Sequence, residues 1–114
     1  MTVEEITQKI RDFRDEREWA QFHNPKDMAE AICIEAGELL EQFLWKTPED
    51  SAARAVERRE AIADEIADIA IFLFEMADNL QIDLLQAMDA KLAKNAEKYP
   101  VSKAKGKSLK YTEL

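Results

Sequence analysis

Two short runs carry most of the chemistry this chain could do: Glu35-Ala-Gly-Glu38 and Glu65-Ile-Ala-Asp68. Each sets a pair of carboxylates three residues apart, inside or beside an apolar stripe. Carboxylates at the edge of a core cost several kcal/mol per ion unless a counter-charge offsets them. Oxygen-only donors are the ligands a hard divalent cation prefers, so the two pairs read as a metal site. On a helical wheel at about 100° per residue, Glu35 falls within the arc of Met28, Ile32, Leu39 and Phe43, and Glu38 falls at its edge. Glu65 falls likewise among Ile62, Ile66, Ile69, Phe72, Leu73 and Met76, with Asp68 at the edge. Two helices facing one another would therefore converge four carboxylates, Glu35 and Glu65 inward, Glu38 and Asp68 outward. The competing reading is that the acids lie on solvated helix faces, as most helix glutamates do.

A second set of residues has the opposite charge. Lys91, Asn95 and Lys98 are spaced i, i+4, i+7 and share one helix face. Two cations and an amide in a row suit a phosphate chain held between them and a metal, although a solvated lysine face has the same pattern. Trp19, Phe22, His23 and Trp45 are candidates for an aromatic pocket that stacks a base, or for ordinary packing at helix ends.

Several chemistries lack their residues. There is no G-x-x-x-x-G-K-[ST] or G-x-G-x-x-G run to cradle phosphate. A single histidine cannot build the Glu-x-x-His pairs of di-iron bundles. Lone Cys33 has no nearby histidine to activate it, cannot form an internal disulfide, and is expected to pack as a reduced, small hydrophobe. All-oxygen ligation points to Mg²⁺, with Mn²⁺ possible.

The elements that must position these groups are helical. The 114 residues include only two glycines and three prolines, and are rich in Ala, Glu, Leu, Ile and Lys. One all-α domain over residues 1–114 is expected. The capping box Thr2-x-x-Glu5 opens a helix to about Arg17, and a linker follows from Glu18 to His23. Asn24-Pro25 starts a helix to about Trp45, and Thr47-Pro48 starts a short polar one. A third long helix covers about Arg54 to Leu80, and a fourth runs from Asp83 to just before Pro100. Net charge is −8, which disfavours a nucleic-acid polymer as partner. Residues 1–97 carry 11 basic and 23 acidic side chains, whereas 98–114 carry five lysines and one glutamate, a basic and partly irregular tail. The charged N-terminal run is unlike a signal peptide and no stretch is apolar enough to span a membrane, so a cytoplasmic setting is expected.

With these residues in place, the chain resembles the MazG-type nucleotide pyrophosphohydrolases, in particular short single-domain members that act on dCTP. The resemblance rests on Trp19-Ala-Gln-Phe-His23-Asn-Pro-Lys26, Glu35-Ala-Gly-Glu38-Leu-Leu-Glu41, Phe43-Leu-Trp45, Asp64-Glu65-Ile-Ala-Asp68 and Lys91-Leu-Ala-Lys-Asn95-Ala-Glu-Lys98-Tyr99-Pro100. It extends into the tail through Lys105-Gly106 and Lys110-Tyr111. It implies a four-helix, all-α bundle that forms a dimer or a dimer of dimers, with sites at subunit interfaces. It implies Mg²⁺ on Glu35, Glu38, Glu65 and Asp68, which would also be the catalytic acids. Lys91 and Lys98 would contact phosphates, Asn95 the nucleotide, and His23 with Trp45 the base and sugar, with Tyr99 a further substrate contact. Phe72 stands where some dCTP-type relatives have tyrosine. The activity so implied is hydrolysis of dCTP or a related dNTP to monophosphate and pyrophosphate. The alternatives are a broad house-cleaning pyrophosphatase for non-canonical nucleotides and a non-enzymatic helical interaction module.

Overall fold

The computed structural model describes residues 1–114 and contains helices and turns only. The chain divides into two compact units, Met1–Leu80 and Gln81–Leu114.

The first unit contains α1 (Val3–Glu16), α2 (Pro25–Glu41), α3 (Pro48–Glu57) and α4 (Arg59–Asn79), with a 3₁₀ turn at Ala20–Phe22. Helix starts sit where the sequence places side-chain acceptors. Thr2 Oγ1 accepts the Glu5 N–H at 3.1 Å while Glu5 Oε2 accepts the Thr2 N–H at 2.9 Å, the reciprocal bonding of a capping box. Asn24 Oδ1 accepts from Asp27 at 2.9 Å and Thr47 Oγ1 from Asp50 at 3.1 Å, each ahead of a proline whose missing N–H costs nothing in the first turn. Helix α4 is the shared partner, packing against α2, α1 and α3. Ile10, Met28, Ile62 and Ala77 form the buried core.

Helix α2 stops at Glu41, short of the Trp45 expected from the apolar run. From Gln42 to Leu44 the N–H groups bond three residues back rather than four, and Arg54 Nε of α3 donates to the Gln42 carbonyl at 3.0 Å. That cap comes from a tertiary contact, which the apolar period of Phe43, Leu44 and Trp45 conceals. Trp45 then turns the chain with φ 61°. The expected third helix is likewise divided, because the stretch from Arg54 to Glu57 belongs to α3 and the chain bends at Arg58 (φ −111°, ψ 29°) before α4 begins. Cys33 is exposed, not packed in the core.

The second unit consists of α5 (Leu84–Lys98), α6 (Val101–Ala104) and a 3₁₀ turn at Tyr111–Glu113. Asp83 caps α5 by accepting the Gln86 N–H at 3.1 Å. The basic tail folds back on the end of α5: Tyr111 meets Tyr99 edge-on at 6.0 Å, and Lys98 Nζ lies 4.8 Å over the Tyr111 ring.

Helix α1 is fastened to α4 by a two-pronged ion pair. Arg11 Nε donates to Asp78 Oδ2 at 2.8 Å and Nη2 to Oδ1. The hydrogen bonding from Arg11 holds the Asp78 carboxyl below its usual range. A carboxyl depressed in the folded state stabilises above its unfolded pKa of about 3.9, and that stabilisation disappears as pH falls through the lower folded value. Asp78→Asn is therefore expected to lower the melting temperature at pH 7 and to lose less than the parent between pH 5 and pH 2. Thermal unfolding followed by circular dichroism checks this, and parallel pH curves for the two proteins would refute it.

Candidate functional site

Helices α2 and α4 bring three of the four acids together. One carboxylate oxygen from each of Glu35, Glu38 and Glu65 lies within 4.8 Å of the others, all three residues being half-buried. Glu35 Oε2 and Glu65 Oε2 are buried with no hydrogen-bond partner. Buried anionic oxygens without a partner are costly, and a cation is a partner that removes the cost. Glu38 lies further inward than its place at the edge of the wheel implied. Asp68 is exposed at the margin, yet its charge acts on both Glu35 and Glu65.

The electrostatics agree with the geometry. Burial, then the Glu38 carboxyl and the charges of Asp68 and Glu65, pushes Glu35 above the ordinary glutamate range. Burial and the negative charge of Glu38 push Glu65 the same way. A hard divalent ion suits this set of oxygen donors, and Glu35, Glu38, Glu65 and Asp68 are the residues that would hold it.

One turn further along α4 the chain opens a cavity of about 360 Å³. Asp68, Ile71, Phe72 and Glu75 enter it from one face of α4, Ile6, Ile10 and Phe13 from α1, and Trp19 and His23 from the connection between α1 and α2. Trp19 packs edge-on against Phe13 at 5.8 Å, and the His23 ring lies 6.3 Å from Phe72. Aromatic walls beside an acidic cluster can accommodate a flat, apolar-faced group whose other end is anionic and metal-bound.

Four of the remaining expected residues belong to the second unit. Trp45 is 92% exposed and outside the cavity. Lys91 and Asn95 share a shallow face of α5 with Ala87, Met88 and Leu92, and Lys98 and Tyr99 meet Tyr111. Glu75 is the residue that sequence reasoning missed. It is buried, and its Oε2 lies 2.6 Å from His23 Nδ1. A signal was present, since Glu75 is seven residues after Asp68 and lies about 20° from it on the wheel.

The chain belongs to the MazG-like family, which it matches over residues 31–114. It is 39% identical to dCTP pyrophosphatase 1 of Bos taurus and 37% identical to that of Homo sapiens, in each case over 99% of this chain and 68% of the other. Its fold is similar to that of a pyrophosphatase from Archaeoglobus fulgidus DSM 4304, with a TM-score of 0.82 and 38% identity over 85% of this chain and 91% of that one.

In the metal-free protein the raised carboxyls cost stability as pH rises through their folded values, because the folded state binds their protons more tightly than the unfolded state does. Glu35→Gln and Glu65→Gln are thus expected to raise the metal-free melting temperature at pH 7 and to shrink the further rise that Mg²⁺ produces. Differential scanning calorimetry with chelator and with Mg²⁺ reads both effects. Lower metal-free stability together with an undiminished Mg²⁺ response would rule out a repulsive, cation-binding cluster.

Proposed function

We propose that this chain is a Mg²⁺-dependent nucleoside triphosphate pyrophosphohydrolase that converts dCTP, or a closely related dNTP, to the monophosphate and pyrophosphate. The observation that carries the reading is the three-glutamate cluster with two unpartnered buried oxygens, 4.8 Å or less across. The dCTP pyrophosphatases among its relatives support the choice of substrate. When bound, Mg²⁺ would supply charge neutralisation to the triphosphate and acidify water.

In this reading Glu35, Glu38, Glu65 and Asp68 would hold the cation. Glu38, which has no orphaned buried oxygen, also takes the proton of the attacking water. The water oxygen joins the α-phosphorus as its bond to the α,β-bridging oxygen breaks. Pyrophosphate leaves with the bridging oxygen, and the monophosphate keeps the oxygen from water. Lys91 and Lys98 neutralise phosphate charge, Asn95 and Tyr99 contact the nucleotide, and the cavity at Trp19, His23 and Phe72 receives the base. Pyrophosphate release is expected to be fastest with dCTP and 5-methyl-dCTP in a panel that includes dATP, dUTP and ribonucleotides. Glu38→Gln should lose about 10²-fold or more in kcat and weaken the Mg²⁺-induced thermal shift less than Glu35→Gln does. Substantial turnover by that variant would remove Glu38 as base, and equal rates across the panel would favour a broad house-cleaning enzyme.

The reading includes a homodimer or a dimer of dimers. Support comes from the apolar side chains that α2 and α4 leave uncovered, among them Leu40 at 70% and Ile66 at 53% exposed. Because Trp45 lies outside its own chain's cavity, a second copy is what could bring it to a bound base. A cytoplasmic setting fits a free exposed thiol and the lack of any helix long and apolar enough to cross a membrane. Leu40→Arg is expected to shift the protein to a smaller species in light scattering coupled to size exclusion, with activity falling in parallel. An unchanged mass and activity would place the interface elsewhere.

A further inference from the structure

Glu75 is an ionisable group that neither the metal cluster nor the phosphate contacts use. It is 3% exposed, and its Oε2 meets two groups, His23 Nδ1 at 2.6 Å and Asn79 Nδ2 at 3.3 Å. Asn79 Oδ1 accepts from Arg14 at 2.9 Å, so its Nδ2 is the atom turned to Glu75 and can only donate, and a carboxylate can only accept. The Arg14 guanidinium feels the Glu75 charge, which keeps a cation beside the anion. A carboxylate that accepts from both neighbours requires the His23 proton on Nδ1. With that proton on Nδ1 and the ring uncharged, Nε2 presents a lone pair and is the ring nitrogen left for a ligand. His23 and Glu75 both line the aromatic cavity, whose other charged residues are Lys9, Arg14 and Asp68.

We propose that Glu75 is a positioning residue that fixes the His23 tautomer and thereby selects bases presenting an amino group, cytosine or adenine, over those presenting a carbonyl at the same place. An exocyclic N–H of such a base completes a hydrogen bond to Nε2, whereas the carbonyl of uracil or thymine would set one lone pair against another. This rests on the reading of the cavity as the base site.

The test uses the full chain with Mg²⁺ and measures kcat and KM for dCTP and dUTP in Glu75→Leu, Glu75→Gln, His23→Ala and the Glu75→Leu/His23→Ala pair. Glu75→Leu is expected to raise KM for dCTP about tenfold, to change kcat far less, and to bring the dCTP-to-dUTP ratio of kcat/KM towards one. Glu75→Gln still offers an oxygen to Nδ1 and should keep most of the ratio. In the His23→Ala background Glu75→Leu should cost nothing more. Glu75→Met replaces Glu75→Leu if the latter does not fold. Equal losses for both nucleotides, additive losses in the double variant, or a parent enzyme that prefers dUTP would each overturn the proposal. A ratio and KM untouched by His23→Ala would overturn it too, by removing the base site itself; a His23→Ala effect without one from Glu75→Leu would remove only the role of Glu75.

Discussion

Three glutamate carboxylates held within 4.8 Å of one another are the constraint on which the first unit depends. Like charges at that spacing repel, and half-burial denies them the water that would screen the repulsion. The packing of α4 against α2 must supply the compensating energy, so the helices are fastened at their ends by contacts unrelated to the cluster. Arg54 closes the end of α2, and Arg11 and Arg14 of α1 grip Asp78 and Asn79 near the end of α4.

Helix α4 serves two chemistries along its length. Glu65 faces the acids of α2, and the stripe Asp68, Ile71, Phe72 and Glu75 faces the cavity. Asp68 lies where the two stripes meet, near enough for its charge to reach Glu35 and Glu65 and also a lining residue of the cavity. A ligand with an anionic end and a flat end would span this seam. The rigid spacing along one helix, rather than a mobile loop, sets the distance between its two parts.

The inward direction of Glu35 and Glu65 was legible because it follows from period alone: each lies amid apolar residues at helical spacing. Caps were legible for a similar reason, since Thr2, Asn24, Thr47 and Asp83 act within three residues. What the sequence concealed depends on distant partners. Helix α2 ends early because Arg54 reaches back to it, and Cys33 lies on an exposed face of α2. Glu75 looked like one more acid on a helix until His23, 52 positions away, supplied its partner. The cavity likewise required the connection after α1 to bring Trp19 alongside α4.

Trp45 sits in the left-handed region with its indole in solvent, a conformation costing a non-glycine residue roughly 1–2 kcal/mol. Trp19, the only other tryptophan, lies against Phe13 and the cavity. The molecule thus contains two fluorophores in contrasting surroundings. Emission from the exposed indole reports whatever comes to cover the end of α2, while the other reports the cavity, and replacing either tryptophan by phenylalanine leaves a single optical channel for each event.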